Sequence, residues 1–428
     1  MERRKLFSVI VVLVLTVLLF AVCFQSAYAA KLERPTIKIG VACALKKSFG
    51  IAALRGAEMA AKEINEAGGV LGSKIELIPI DTEGTAPKAT EAIEKLYYSD
   101  KVDAIVGAYT SEEATAFQEE SAKLKINMVF HGTTHILDKK YKENPEKYKY
   151  AWTYVPSGLD AVRYVFGHQY PLFIEALKRE LATDKLNVAV ISDMALWTEV
   201  IHAKSIEAMK ARTDCNLVYD GRIGRDAVDF TAELSEVRSK NVQLILLTNA
   251  FSAGYTFVKQ AYDVRLPAMI TGTNVLAWSV TDFIKAVGID AAAYTSSNCF
   301  NTLPTTPHTA KLLGDYKRIY KSYPHMDVGA AYNGVKAYAK AVEAAGSLDQ
   351  DKVQKALEKL RLPESEAWGC KELWFDETHR IHVSPTDGLV LYTYQFSPTG
   401  TVNILDPEEF KTSKVLVPPW IVKSRNKK

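Results

Sequence analysis

From Thr36 onward, the apolar positions fall into two alternating rhythms. Residues 36–43 (TIKIGVAC) are β-branched and apolar over the length of a strand. Residues 52–66 instead space Ala53, Leu54, Ala57, Ala60, Ala61 and Ile64 at the interval of an amphipathic helix. Gly68-Gly69 ends that helix, because glycine turns the chain out of it without steric cost. The alternation continues with strands over 74–80, 102–106 and 126–130 and helices over 87–99 and 114–124. Such repetition predicts a parallel sheet covered by helices on both faces.

The rhythm then restarts. Residues 186–192 (LNVAVIS) read as a strand and 199–212 as a helix. Further strands are expected at 217–219, 242–247 and 268–270, with helices from Phe230 and from Tyr255 between them. Both halves open alike: a strand containing Val-Ala, a polar loop with one aromatic residue (Phe49, then Trp197), then a helix. Two similar α/β lobes are the economical reading. Between them, residues 150–156 (YAWTYVP) are extended, aromatic and proline-terminated, as suits a hinge. Beyond Asp290 the repeat breaks down. Residues 294–303 read as extended, 311–320, 329–345 and 351–360 as helical, and 373–375 and 390–396 as strands. The tail from Lys411 shows no readable role.

A segment of different character stands ahead of this pattern. Arg3, Arg4 and Lys5 precede an almost unbroken apolar run over 6–24, and Ala27 and Ala29 form an A-x-A pattern. That order reads as an export signal over 1–29, cleaved near Ala29. The run is also long enough to remain as an uncleaved anchor. Cys23 lacks the small residue expected before a lipid-modified cysteine. Removing the signal leaves 399 residues and lowers the formal net charge from +3 to +1. This balance gives no electrostatic footing for nucleic acid or an anionic membrane. The length suits two domains, each with its own core. No second long apolar run follows, so a soluble mature chain is expected at the periplasmic or extracellular face of the membrane.

Ligands of open parallel sheets collect at the carboxyl ends of strands, where loops and helix N-termini offer N–H groups. Here those loops are rich in hydroxyls: Tyr109-Thr110-Ser111 after the third strand and His131-Gly132-Thr133-Thr134 after the fourth. Both suit a carboxylate or carbonyl. The competing reading of Thr110 or Ser111 is a helix cap, and two such loops at matching places favour binding. His131 and His135 are four apart, yet Gly132 stands where a zinc protease motif needs glutamate, so no metal is expected. Dinucleotide, P-loop and nucleophile-elbow motifs are missing, so neither a cofactor nor enzymatic turnover is expected. Cys43, Cys215, Cys299 and Cys370 are scattered, which leaves buried thiols and a disulfide both open.

The run over 55–72 (RGAEMAAKEINEAGGVLG) resembles the branched-chain amino acid-binding proteins of ABC transporters, which are type I periplasmic binding proteins. Asp81 with Pro87, Ile105-Val106-Gly107, and the strand and loop over 126–134 continue the likeness, which covers most of 36–345. The resemblance implies two doubly wound parallel-sheet lobes joined by a three-segment hinge, with a small ligand enclosed between them. It also implies a monomer that delivers its ligand to an ABC permease. Crossovers would fall near 150–156, 294–303 and 368–375. One lobe would then comprise 36–152 plus 303–367, the other 156–294 plus 376–410, leaving 411–428 as a tail. The second and third crossovers would set Cys299 and Cys370 side by side as a possible disulfide.

In amino-acid-binding relatives, a serine after the third strand and a small residue plus threonine after the fourth hold the ligand carboxylate. Ser111, Gly132 and Thr134 stand at those positions, with Thr133 between them. Phe49 and Trp197 match aromatic residues on the two sides of the cleft. The relatives pair the ligand ammonium with an acid after the last strand of the second lobe, where this chain has Thr273-Asn274. Phe251 lies next to the place of a family tyrosine. A buried ammonium without a partner is costly, on the order of several kcal/mol. The expected ligand is therefore a carboxylate or amide, amino-acid-like or aromatic, other than an ordinary branched-chain amino acid. A sensory module acting in trans and an exported enzyme are the alternatives to uptake.

Overall fold

Strand β1 (Thr36–Cys43) is buried along most of its length, so it needs neighbours on both edges and helices on both faces. It has them in the computed structural model, which describes residues 32–425. β2 (Lys74–Asp81) and β3 (Ala104–Gly107) flank it, and β4 (Met128–Phe130) and β5 (Ala151–Thr153) extend the sheet, all parallel, in the order β2-β1-β3-β4-β5. Ile37, Ile39, Val41 and Cys43 face the helices Ser48–Glu66 and Met326–Ala345, while Ala42 faces Ala86–Lys95 and Ser111–Leu124. Gly56 permits the close contact of the first pair. A Cβ there would lie 2.0 Å from Val328 O.

The second lobe repeats the design with β6 (Leu186–Asp193), β7 (Cys215–Ile223), β8 (Leu244–Asn249) and β9 (Met269–Asn274) in the parallel order β7-β6-β8-β9. The expected restart of the pattern is thus a second sheet. β10 (Ser296–Cys299) follows, and β11 (Leu362–Pro363) and β12 (Glu372–Leu373) form a short antiparallel pair. β13 (Tyr392–Phe396) and β14 (Val402–Asp406) join β10 in an antiparallel sheet. The fold class is α/β with two doubly wound lobes.

The segment 150–156 opens as β5 before it leaves the first sheet, and β10 forms the core of 294–303. The third crossover lies later than 368–375. Thr153 N donates to His379 O at 2.9 Å and Ile381 N donates to Thr153 O at 2.8 Å, so the chain still lines the first-lobe sheet there. Between 362 and 391 it forms only two-residue strands and isolated bridges, too short to leave a period in the sequence. The helices His135–Glu143 and Tyr170–Leu181 also escaped the pattern; the former buries only Leu137 and Asp138.

Cys299 and Cys370 do not form the possible disulfide. All four cysteines of the described chain are free and buried. Cys299 Sγ donates to Phe300 O at 3.3 Å and Cys370 Sγ to Trp368 O at 3.5 Å, so each thiol is satisfied locally. Burial pushes the Cys299 thiol up to about 12, far from the thiolate that disulfide exchange requires. The tail straps the second lobe: Leu416 N donates to Gln395 Oε1 at 2.8 Å, and Trp420 Nε1 donates to Leu266 O at 3.1 Å. No helix among the described residues is long and apolar enough to cross a membrane. The signal expected over 1–29 lies outside the described residues.

Candidate functional site

β3 ends at Gly107, whose φ of 142° and close approach to Ala42 O exclude a side chain. The chain then turns through Tyr109 into the helix Ser111–Leu124. Thr110 caps it: Thr110 Oγ1 accepts from Glu113 N at 3.1 Å, and Thr110 N donates to Glu113 Oε2 at 2.9 Å. Thr110 therefore fulfils the capping reading and still faces the cleft. Ser111, the first helical residue, points the same way, and its hydroxyl has no hydrogen-bond partner among the described residues. Helix N–H groups and a free hydroxyl together suit an anion.

The loop after β4 is fixed from behind. Arg380, only 2% exposed, donates Nη1 to Gly132 O and Nη2 to Thr134 O at 3.4 Å, while Nε donates to Asp138 Oδ1 at 2.7 Å. Thr134 is buried and caps the helix His135–Glu143. Gly132 packs against Leu137, whose Cδ1 would lie 2.5 Å from an added Cβ. Thr133 is the residue of this loop that reaches the cleft, together with His131. His131 Nδ1 lies 2.8 Å from Asp327 Oδ1, and its Nε2 lies 3.1 Å from Thr133 Oγ1. Burial raises the Asp327 carboxyl, but His131 and His325 outweigh it and hold the group at about 2. His325 Nδ1 is 2.8 Å from Asp327 Oδ2, off the hydrogen-bonding direction.

The second lobe supplies an aromatic wall. Trp197 precedes the helix Thr198–Ala211, and Phe251 follows β8 under the Arg225 guanidinium, 4.6 Å from the ring centre. Asp193, the last residue of β6, accepts from Ala250 N at 2.7 Å and so anchors that loop. Burial raises its carboxyl to about 6, moderated by the Ala250 N–H and by Arg225 and Arg222. Thr273 lines the cleft and accepts from Asn298 Nδ2 at 2.9 Å. Val155, Trp278, Phe300, Met326 and Leu391 complete an apolar chamber. One ion pair spans its mouth: Arg225 Nη2 to Glu112 Oε1, at 2.8 Å.

Of the residues expected at the site, Tyr109, Thr110, Ser111, Thr133, Trp197, Phe251 and Thr273 converge on this cavity. Phe49 stands one layer out, stacked on Tyr109 at 3.8 Å, in the adjoining outer groove. Gly132, Thr134 and Asn274 lie behind the wall. Asn274 is buried, with its N–H donating to Ser297 Oγ at 3.0 Å. Sequence reasoning missed the crossover residues, Trp278 and the His131–Asp327 pair, which joins positions 196 apart. His135 begins a helix and shares no site with His131.

Two parallel α/β lobes enclosing a chamber with polar donors on one lip and aromatic groups on the other define a solute-binding protein. The chain belongs to the periplasmic binding protein family, whose profile matches residues 36–385, and has the type I fold. A Leu/Ile/Val-binding protein homolog from Brucella abortus is 23% identical over 83% of this chain and 89% of its own length. A leucine-, isoleucine-, valine-, threonine- and alanine-binding protein from Pseudomonas aeruginosa is 27% identical over 79% of this chain and 87% of its own. The structure resembles a putative branched-chain amino acid ABC transporter protein from Silicibacter pomeroyi (TM-score 0.74, 20% identity, 90% of this chain and 100% of that one). A solute-binding protein from R. palustris in complex with benzoate is also similar (TM-score 0.68, 15% identity, 90% and 99%).

Proposed function

We propose that this protein captures a small aromatic or aliphatic carboxylate, or a neutral amide, rather than leucine, isoleucine or valine, and delivers it to an ABC permease as a monomer. The observation that carries this reading is the charge inventory of the cavity. Glu112 is the one carboxylate among the described residues that lines the chamber, and Arg225 already occupies it. Asp193 is held behind the wall by Ala250 N, and Glu113 is consumed by Thr82, Tyr109 and Thr110. An ammonium group would enter without a charged partner, at a cost of several kcal/mol. A carboxylate instead meets the hydroxyl of Ser111 and the start of its helix, and its apolar body meets Trp197, Phe251 and Trp278.

A thermal-shift screen of the purified protein tests the proposal. Ligand at about 100 times its Kd adds about 2.7 kcal/mol, a clear rise in Tm. Aromatic or aliphatic monocarboxylates or amides are expected to give that rise, and the three branched-chain amino acids to give none. A strong leucine response would refute the ligand class and leave the binding role standing.

A further inference from the structure

Thr133 lines the chamber beside His131, and that ring sets the hydrogen-bonding sense of its hydroxyl. An ionised Asp327 can only accept, so His131 Nδ1, 2.8 Å away, then carries a hydrogen. What Nε2 does then depends on protonation. In neutral His131, Nε2 is a lone pair and takes the hydroxyl hydrogen of Thr133, 3.1 Å away. Thr133 then turns only lone pairs towards the chamber, which repel a carboxylate. In protonated His131, Nε2–H donates to Thr133 Oγ1, and the hydroxyl hydrogen is released towards the ligand.

Resting on the carboxylate reading above, we propose that His131 is a specificity-determining residue whose protonation switches Thr133 from acceptor to donor, so that a carboxylate binds with uptake of one proton. The proton comes from solvent and rests on Nε2; no bond to the ligand forms or breaks. The surroundings of His131 allow this. From the helix Met326–Ala345 comes Asp327, with His325 just ahead of it. Tyr109 packs with its ring 5.1 Å from the imidazole. The Tyr154 hydroxyl is engaged by Gly107 O and the Cys43 thiol by Gly50 O. Glu113 is held by Thr82 and Thr110. Arg380, beyond Gly132, is paired with Asp138. The charged group facing His131 most closely is thus the Asp327 carboxylate, 2.8 Å from Nδ1.

Calorimetric titration of the purified protein with benzoate and with hexanoate, from about pH 6 to about pH 8.5, reads the effect. Repeating the titration in phosphate and in Tris at one pH counts the proton through the difference in buffer heat. The expected result is uptake approaching one proton, with Kd weakening up to about tenfold per pH unit above the imidazole titration. His131→Gln, which keeps a hydrogen bond to Thr133 but cannot titrate, is expected to bind with a flat pH profile. Binding of either probe without proton uptake overturns the inference, as does uptake that persists in H131Q. No binding of either probe at about pH 6 sinks the carboxylate reading and this inference with it, whereas pH-independent binding sinks the inference alone.

Discussion

Arg380 reaches across 248 positions to hold Gly132 O and shares its guanidinium with Asp138, so the ligand-facing loop is shaped by a residue that never touches the chamber. Replacing it by alanine leaves Asp138 as an uncompensated buried charge and frees the loop carbonyls. Loss of one partner of a buried pair costs about 3–5 kcal/mol. Arg380→Ala is therefore expected to lower Tm sharply and to weaken ligand binding, and adding Asp138→Asn should recover part of the stability by removing the stranded charge. Chemical denaturation of the single and double variants measures both effects. A single variant as stable as the parent would show that the carbonyl contacts carry no weight. The contrast with Ser111 and Thr110 explains what a sequence reveals at this scale. The role of Thr110 follows from a neighbour three residues away, in the reciprocal Thr110–Glu113 cap, and Ser111 is simply the next residue of the same loop. Arg380 and Asp327 act through partners that only the folded chain brings close, and Leu391 reaches the chamber only through the fold.

Among the elements, regular strands and helices announced themselves where one face was apolar over a full strand or several turns. β1, β6 and the helix Ser48–Glu66 were legible for that reason. The third crossover was not, because pairing such as that of His379 and Ile381 with Thr153 uses backbone groups that any sequence supplies. The packing of helix on helix was equally silent, although its consequence is testable. Gly56 brings the helix Ser48–Glu66 against Val328, and an added Cβ would lie 2.0 Å from Val328 O, a backbone atom that cannot rotate aside. Gly56→Ala would by helix propensity alone gain up to about 1 kcal/mol. The clash requires the two helices to part, and overpacking of this kind costs about 1–3 kcal/mol. The variant is expected to melt lower despite its better propensity, while Gly314→Ala, in a helix where nothing lies near the added Cβ, should melt unchanged or higher. Equal shifts in the two variants would remove the packing argument.

At the scale of the whole molecule, the question is what holds the lobes together over the chamber. The Arg225–Glu112 pair is the obvious candidate, since it joins Glu112 of the first lobe to Arg225 of the second at 2.8 Å. Its side chains are 36% and 39% exposed, however, so water and salt screen it. Pairs of this kind contribute about 0.2–1 kcal/mol, which amounts to no more than about fivefold in affinity. The apolar wall outweighs it: burying one large side chain against ligand is worth about 1.5–3 kcal/mol. Closure should therefore follow the ligand, with the ion pair acting on how long the closed form persists. Glu112→Gln is expected to weaken binding by less than about fivefold, mainly through a faster off-rate, and to lose that effect at high salt. Arg225→Ala should cost more, because Arg225 also covers Phe251 and donates Nε to Met194 O at 2.8 Å, so its loss loosens the aromatic wall itself. Stopped-flow dissociation of the two variants and their double mutant separates the contributions. If Glu112→Gln alone abolished binding, the ion pair and not the ligand would be the agent of closure, and the apolar chamber would be secondary to it.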